Sequence, residues 1–130
     1  MDLEAIKPKI AEIAEKYGLS AIVLFGSQAT GKTHGKSDVD IAVLSKNDFD
    51  RFALATDLDK AFNRDDVEVV DLRAASPTLM YVVVRDGVLL YESEKDSFFS
   101  WKMYAIRVWL DTAWLRKLAD KKLVDWANQK

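Results

Sequence analysis

Cysteine is absent from this chain of 130 residues. That excludes disulfides, a cysteine-ligated zinc site and a thiol nucleophile, and it fits a reducing compartment. Histidine occurs once, at His34, in a glycine-flanked loop, and is read as a solvated side chain without a role. No apolar run approaches the roughly 20 residues of a membrane span. The opening "MDLEAIKPKIAEIAEKYG" is charged throughout, where a signal peptide would carry an apolar core. A cytoplasmic location and no membrane partner are therefore expected. A basic excess is missing too: the formal net charge is −2, which supplies no global field for a polyanion, and direct nucleic-acid binding is not expected. There is no internal repeat, low-complexity tract or linker, so residues 1–130 read as a single domain. At 49% hydrophobic it can bury a core without staples.

What is present alternates between helical and strand periodicity. Leu3, Ile6, Ile10, Ile13 and Tyr17 recur at helical spacing, and Gly18 is a natural stop. Pro8 is awkward inside a helix, so this one either begins near Pro8 or bends there. "SAIVLFG" (20–26) and "DVDIAVLS" (38–45) read as buried strands. "NDFDRFALATDLDKAFN" (47–63) reads as a helix with Asn47 or Asp48 as cap. "VEVVDL" (67–72) is a third strand, "SPTLMYVVVRDG" a short helix opened by Ser76-Pro77, and "GVLLYE" a fourth strand. Residues 95–128 read as one long C-terminal helix.

The stretch "GSQATGKT" admits two readings. In the first it fits the P-loop pattern, with Gly26, Gly31, Lys32 and Thr33 in the fixed places. A P-loop works because its Lys-Ser/Thr opens a helix whose N-terminus shares the phosphates with the loop amides. Here the chain continues "HGKSDVDIAVLS", and a strand begins where that helix is needed. In the second reading only Gly26 and Ser27 matter, together with "DVD" ten residues further on. Side chains of a strand alternate faces, so Asp38 and Asp40 point the same way, about 7 Å apart. Two carboxylates so placed can share a pair of magnesium ions, which take hard oxygen ligands and complete their shells with water and phosphate. Gly26 lets backbone approach phosphate oxygens, and the Ser27 hydroxyl can bond them.

The run "LFGSQATGKTHGKSDVDIAVLS" resembles the minimal nucleotidyltransferases of the DNA polymerase β superfamily, whose signature is GS, ten residues, then D-x-D. The segment "VEVVDLRAASPTLMYVVVRDGVLLYE" continues the likeness, which spans roughly residues 5–92. The resemblance implies an α/β (α+β) fold: a mixed, twisted sheet with helices on one face, the nucleotide cleft on the other, and the long C-terminal helix in addition. It implies metal-dependent nucleotidyl transfer from ATP, with Asp38 and Asp40 on two Mg2+ ions, Glu68 as third carboxylate and metal ligand, and Gly26, Ser27 and Lys32 on the triphosphate. Asp71 competes with Glu68 but has the opposite strand parity. Gln28 and Thr30 stand where the family often has arginines, leaving Lys32 and Lys36 as sources of positive charge. Family members of this size are often antitoxins that add AMP to a tyrosine of a HEPN-type RNase toxin, so such a toxin is the expected partner. The alternatives are transfer to a small molecule or an RNA end, and a non-catalytic module that neutralises a partner by covering it.

The tail adds a second signal, since all four tryptophans lie between positions 101 and 126. Trp101, Tyr104, Val108, Leu115 and Leu118 can form one helical face against the sheet, while Phe99, Ile106, Trp109, Leu110 and Trp114 spread around the rest. A helix apolar on more than one side is either core throughout or covered by a partner. Prediction: Lys32→Ala weakens ATP binding by only roughly 1 kcal/mol in a ligand titration, the worth of a partly solvated charge contact. Complete loss of activity in Lys32→Ala, with Asp40→Asn nearly silent, would restore the P-loop reading.

Overall fold

The computed structural model describes residues 2–31 and 38–129. Helix α1 (Leu3–Tyr17) opens on Asp2, whose carboxylate accepts the Ala5 N–H at 3.3 Å, and closes on Gly18 at φ 66°. It starts at Leu3 and runs through Pro8, so the proline costs one backbone hydrogen bond and does not set the boundary. Strand β1 (Leu19–Phe25) follows, then a single helical turn, α2 (Ser27–Thr30), and strand β2 (Val39–Ser45). Helix α3 (Arg51–Phe62) is capped by Asp50, whose side chain accepts the Ala53 N–H at 3.0 Å. The cap thus lies two or three residues beyond the expected Asn47 or Asp48. Strand β3 (Val67–Asp71) ends in a 3-10 turn, helix α4 (Pro77–Asp86) is capped by Ser76, and strand β4 (Val88–Glu92) leads to the tail.

The four strands form a mixed sheet in the order β3-β2-β1-β4. β1 is antiparallel to both β2 and β4, and β2 is parallel to β3. β1 and β2 are apolar on both parities, so both sheet faces must be kept from water. On one face, Ile22, Leu24, Val39, Ile41, Val43, Val67 and Val69 pack under Ile10 and Ala14 of α1 and Leu54, Leu58 and Phe62 of α3. On the other, Val23, Phe25 and Ala42 pack under Met80 and Val83 of α4 and under the start of the tail. Helices therefore cover both faces, which corrects the expectation of helices on one face alone. The cleft shares the second face with α4 and the tail.

The tail is helical as expected but broken at Thr112 into α5 (Ser97–Asp111) and α6 (Ala113–Asn128). The Thr112 hydroxyl donates to the Val108 carbonyl at 2.7 Å, and Arg116 bridges the break by donating to the Thr112 hydroxyl at 2.7 Å and the Trp109 carbonyl at 2.6 Å. The inward stripe of α5 is Phe98, Trp101 and Ala105, with Val108 packed beside them. Tyr104, Leu115 and Leu118, expected against the sheet, are exposed. Ala105 lies one turn after Trp101 on the same stripe, which leaves Tyr104, one residue earlier, to the side of it. After the break α6 leaves the sheet, and none of its residues is buried.

The tail's tryptophans should thus separate by stability. Trp101 is 7% exposed and Trp114 62%. Trp101→Ala is expected to cost about 3–5 kcal/mol in chemical denaturation, and Trp114→Ala within about 0.5 kcal/mol of nothing. Equal costs would mean that α6 is core.

Candidate active site

Strand register assembles the site. Phe25 of β1 pairs with Asp40 of β2, and Asp40 pairs in turn with Glu68 of β3. Directly paired residues on neighbouring strands share a face, so Phe25, Asp40 and Glu68 form a row across the sheet with strands about 4.8 Å apart. Asp38 lies two positions before Asp40, just ahead of β2, and so falls on the same parity. Phe25 is buried and floors the row, Asp40 is half-buried, and Asp38 and Glu68 are open to solvent.

Gly26 closes the row from above. Its φ of 76° and ψ of −157° lie where only glycine is at ease, and a Cβ built there would collide with the Asp40 carboxylate. The glycine is required twice, by conformation and by contact. Ser27 then opens α2, whose Ala29 and Thr30 N–H groups donate to the Gly26 carbonyl at 3.1 and 3.2 Å. A helix that opens at Ser27, beside a strand with two antiparallel neighbours, is not P-loop architecture, which needs parallel strands and a helix opening at the lysine. Lys32, the expected triphosphate contact, lies outside the described residues, as do Lys36 and His34.

Carboxylates of like charge crowd the row. The Asp40 carboxyl is pushed above its ordinary range, first by burial and then by repulsion from Glu68 and Asp38. Among the described residues no three acidic or histidine side chains close into a preformed cage. An open, oxygen-only donor set is nonetheless what magnesium takes when water and phosphate complete its shell, so the residues fit such an ion.

Asp71 is excluded from the row by geometry. It shares the parity of Val67 and Val69, which face α3. Its carboxylate accepts the Arg73 N–H at 2.9 Å and pairs with the Arg73 guanidinium at 3.0 Å. Burial raises this carboxyl, but those hydrogen bonds outweigh it and hold the group below its usual range. Asp71 is thereby committed to the turn after β3.

One charged group at the rim escapes sequence reading. Arg64 forks onto Asp66 with two contacts of 2.7 Å, and its guanidinium also feels the charge of Asp38. Val39 and Val67 are paired, so Asp38 and Asp66 each lie one residue ahead of a paired position. The signal that could have found Arg64 is the parallel pairing of the two strands, which periodicity alone does not reveal.

Comparison with known proteins agrees with this geometry. The profile of the family described as Polymerase beta, Nucleotidyltransferase matches residues 8–96. Protein adenylyltransferase MntA of Aphanizomenon flos-aquae is 33% identical over 122 residues, which is 85% of this chain and 79% of that protein. Among solved structures, a toxin–antitoxin crystal structure with AMP-PNP superimposes with a TM-score of 0.76 at 32% identity, over 91% of this chain and 98% of the other. A tri-AMPylated Shewanella oneidensis HEPN toxin in complex with MNT antitoxin contains a chain matching at a TM-score of 0.72 and 28% identity, over 95% of this chain and 99% of that one.

The raised Asp40 pKa carries a stability consequence. The folded chain holds this proton more tightly than the unfolded chain, whose aspartates titrate near about 3.9. Ionising Asp40 therefore costs stability as pH climbs from that value through the raised one, and the full cost is present at neutral pH. Without divalent cations, Asp40→Asn is expected to melt above the wild type at pH 7, with the advantage gone below about pH 4. An unchanged or lower midpoint at pH 7 would contradict this account of the row.

Proposed function

Because the chain belongs to the Polymerase beta nucleotidyltransferase family, we propose that it transfers AMP from ATP to a tyrosine hydroxyl of a HEPN-type RNase toxin and so acts as that toxin's antitoxin. The observation that carries this reading is the register that sets Asp40 beside Glu68 and beneath Gly26. The relatives support the chemistry and the partner: one is a protein adenylyltransferase, and another was crystallised with a toxin already bearing AMP.

Asp38 and Asp40 would hold two magnesium ions, with Glu68 completing the set. When bound, such ions stabilise charge on the α-phosphate and the leaving pyrophosphate and lower the pKa of the acceptor hydroxyl. The chain's own residues do the rest. Gly26, lacking a Cβ, lets the backbone of the turn lie directly against the Asp40 carboxylate, and that turn would meet the triphosphate. Ser27 opens the turn that follows and, with Lys32, would hold the phosphates in line. Glu68, open to solvent in the row, takes the proton as the tyrosine oxygen bonds to the α-phosphorus. The bond to the β-phosphate oxygen breaks, and pyrophosphate carries away the electron pair. Arg64 places positive charge at the rim, where Gln28 and Thr30 bring none. None of the described helices is long and apolar enough to cross a membrane, and a reaction that consumes ATP fits a cytoplasmic location.

Asp38→Asn and Asp40→Asn should each lower AMP transfer by about a thousandfold or more while the fold survives, since an isosteric amide removes charge without opening a cavity. The assay follows α-labelled ATP into a purified HEPN-type RNase toxin, with and without a chelator. Full transfer by the double variant, or transfer indifferent to chelation, would refute the reading.

A further inference from the structure

The tail carries a second surface that the transfer reaction does not use. Phe99, Met103, Ile106 and Leu110 follow one another at intervals of four, three and four residues, the spacing that lines side chains into one seam for a facing helix. All four are exposed, Leu110 at 66%. The seam lies on a different side of α5 from Phe98, Trp101 and Ala105, which are spent on the sheet. A depression of about 430 Å³ is lined by Met103, Tyr104, Ile106 and Leu110, with Arg107 and Asp111 at its edge. At 100° per residue, Lys102 and Arg107 flank the seam on opposite sides.

We propose that this seam on α5 seats the HEPN-type partner, which meets it with an amphipathic helix whose apolar stripe is edged by acidic side chains. The inference rests on the partner named in the preceding reading and adds where and how it docks. Three observations choose this occupant. The four-three-four spacing calls for a helix rather than a strand or an extended peptide. The charge calls for acidic edges: on α5 the seam is flanked by Lys102 and Arg107, with Asp111 the one acidic residue of that helix. A second copy would bring Lys102 and Arg107 against their own kind, which like-charge repulsion disfavours. Lastly, the antitoxin chain crystallised with the AMPylated toxin matches 95% of this chain, and the unmatched twentieth is too short to hold the 15 residues of α5. The seam therefore lies in the part held in common with a chain that sits beside a toxin.

The test is calorimetric titration of the full chain with the same purified HEPN-type RNase toxin, run beside the AMP-transfer assay. Met103→Glu and Leu110→Glu should each weaken binding by about thirtyfold or more, as truncated or charged anchors do at interface centres. Their melting temperature and ATP binding should stay as in the wild type. Arg107→Glu should weaken binding less and flatten its dependence on salt. Phe52→Glu, at an exposed site on α3, should change nothing. Wild-type affinity in both seam variants would overturn the proposal. So would a wild type that sediments as a dimer and becomes monomeric with Met103→Glu, since the occupant would then be a second copy. The two readings fail separately: binding through the seam without AMP transfer would sink the reaction and keep the surface, whereas undiminished transfer and binding in the seam variants would sink the surface and keep the reaction.

Discussion

The parallel pairing of β2 with β3 is the constraint on which this molecule turns. It sets Asp40 directly beside Glu68, with Asp38 two residues behind on the same face. Like charges opposite one another weaken a sheet, and burial of Asp40 sharpens the conflict. The strands tolerate it because on their other face Val39, Ile41, Val43, Val67 and Val69 are clamped beneath α1 and α3. Stability drawn from that face holds three carboxylates closer than they would choose, and a cation is the natural means of relieving them. The same rigidity presses Gly26 onto Asp40 so closely that no side chain fits between.

Much of this was legible in the chain. Short apolar, β-branched runs located β1, β2 and β3, and the ten-residue interval between Ser27 and Asp38 was countable. Parity alone separated Asp71 from Glu68, and the structure puts Asp71 on the turn with Arg73. What stayed hidden depends on partners distant in sequence. The cap of α3 is Asp50, because the loop after β2 must first cross to the helix layer; Asn47 and Asp48 offer equally good capping chemistry. That helices lie on both faces was implied by the apolar parities of β1, yet a short apolar run cannot say what covers it. Arg64 gains its place beside Asp38 only through strand pairing.

The tail illustrates the limit of helical periodicity most clearly. The wheel placed Tyr104, Leu115 and Leu118 on one face with Trp101, and that face would exist on an unbroken helix. Two local facts dissolve it: the inward stripe runs through Phe98, Trp101 and Ala105 and leaves Tyr104 outside, and Thr112 satisfies its hydroxyl on the Val108 carbonyl and ends the helix. Trp109 is then held between Tyr81, stacked at 4.5 Å, and the guanidinium of Arg116. Within the chain, its ring is the clasp by which α5 keeps the first turn of α6.

Beyond that clasp, α6 draws nothing from the sheet, because none of its side chains is buried. A lone helix of 16 residues sits near the length at which helices are only marginal in water. Its opening and closing are therefore uncoupled from global unfolding, and the chain has two stabilities rather than one. The backbone amides of β1 would exchange their hydrogens with solvent only when the whole sheet comes apart, whereas those of α6 beyond Arg116 would exchange at every brief fraying. Whatever comes to lie against α6 would have to order that segment as it binds, and part of its interaction energy would go into folding the helix.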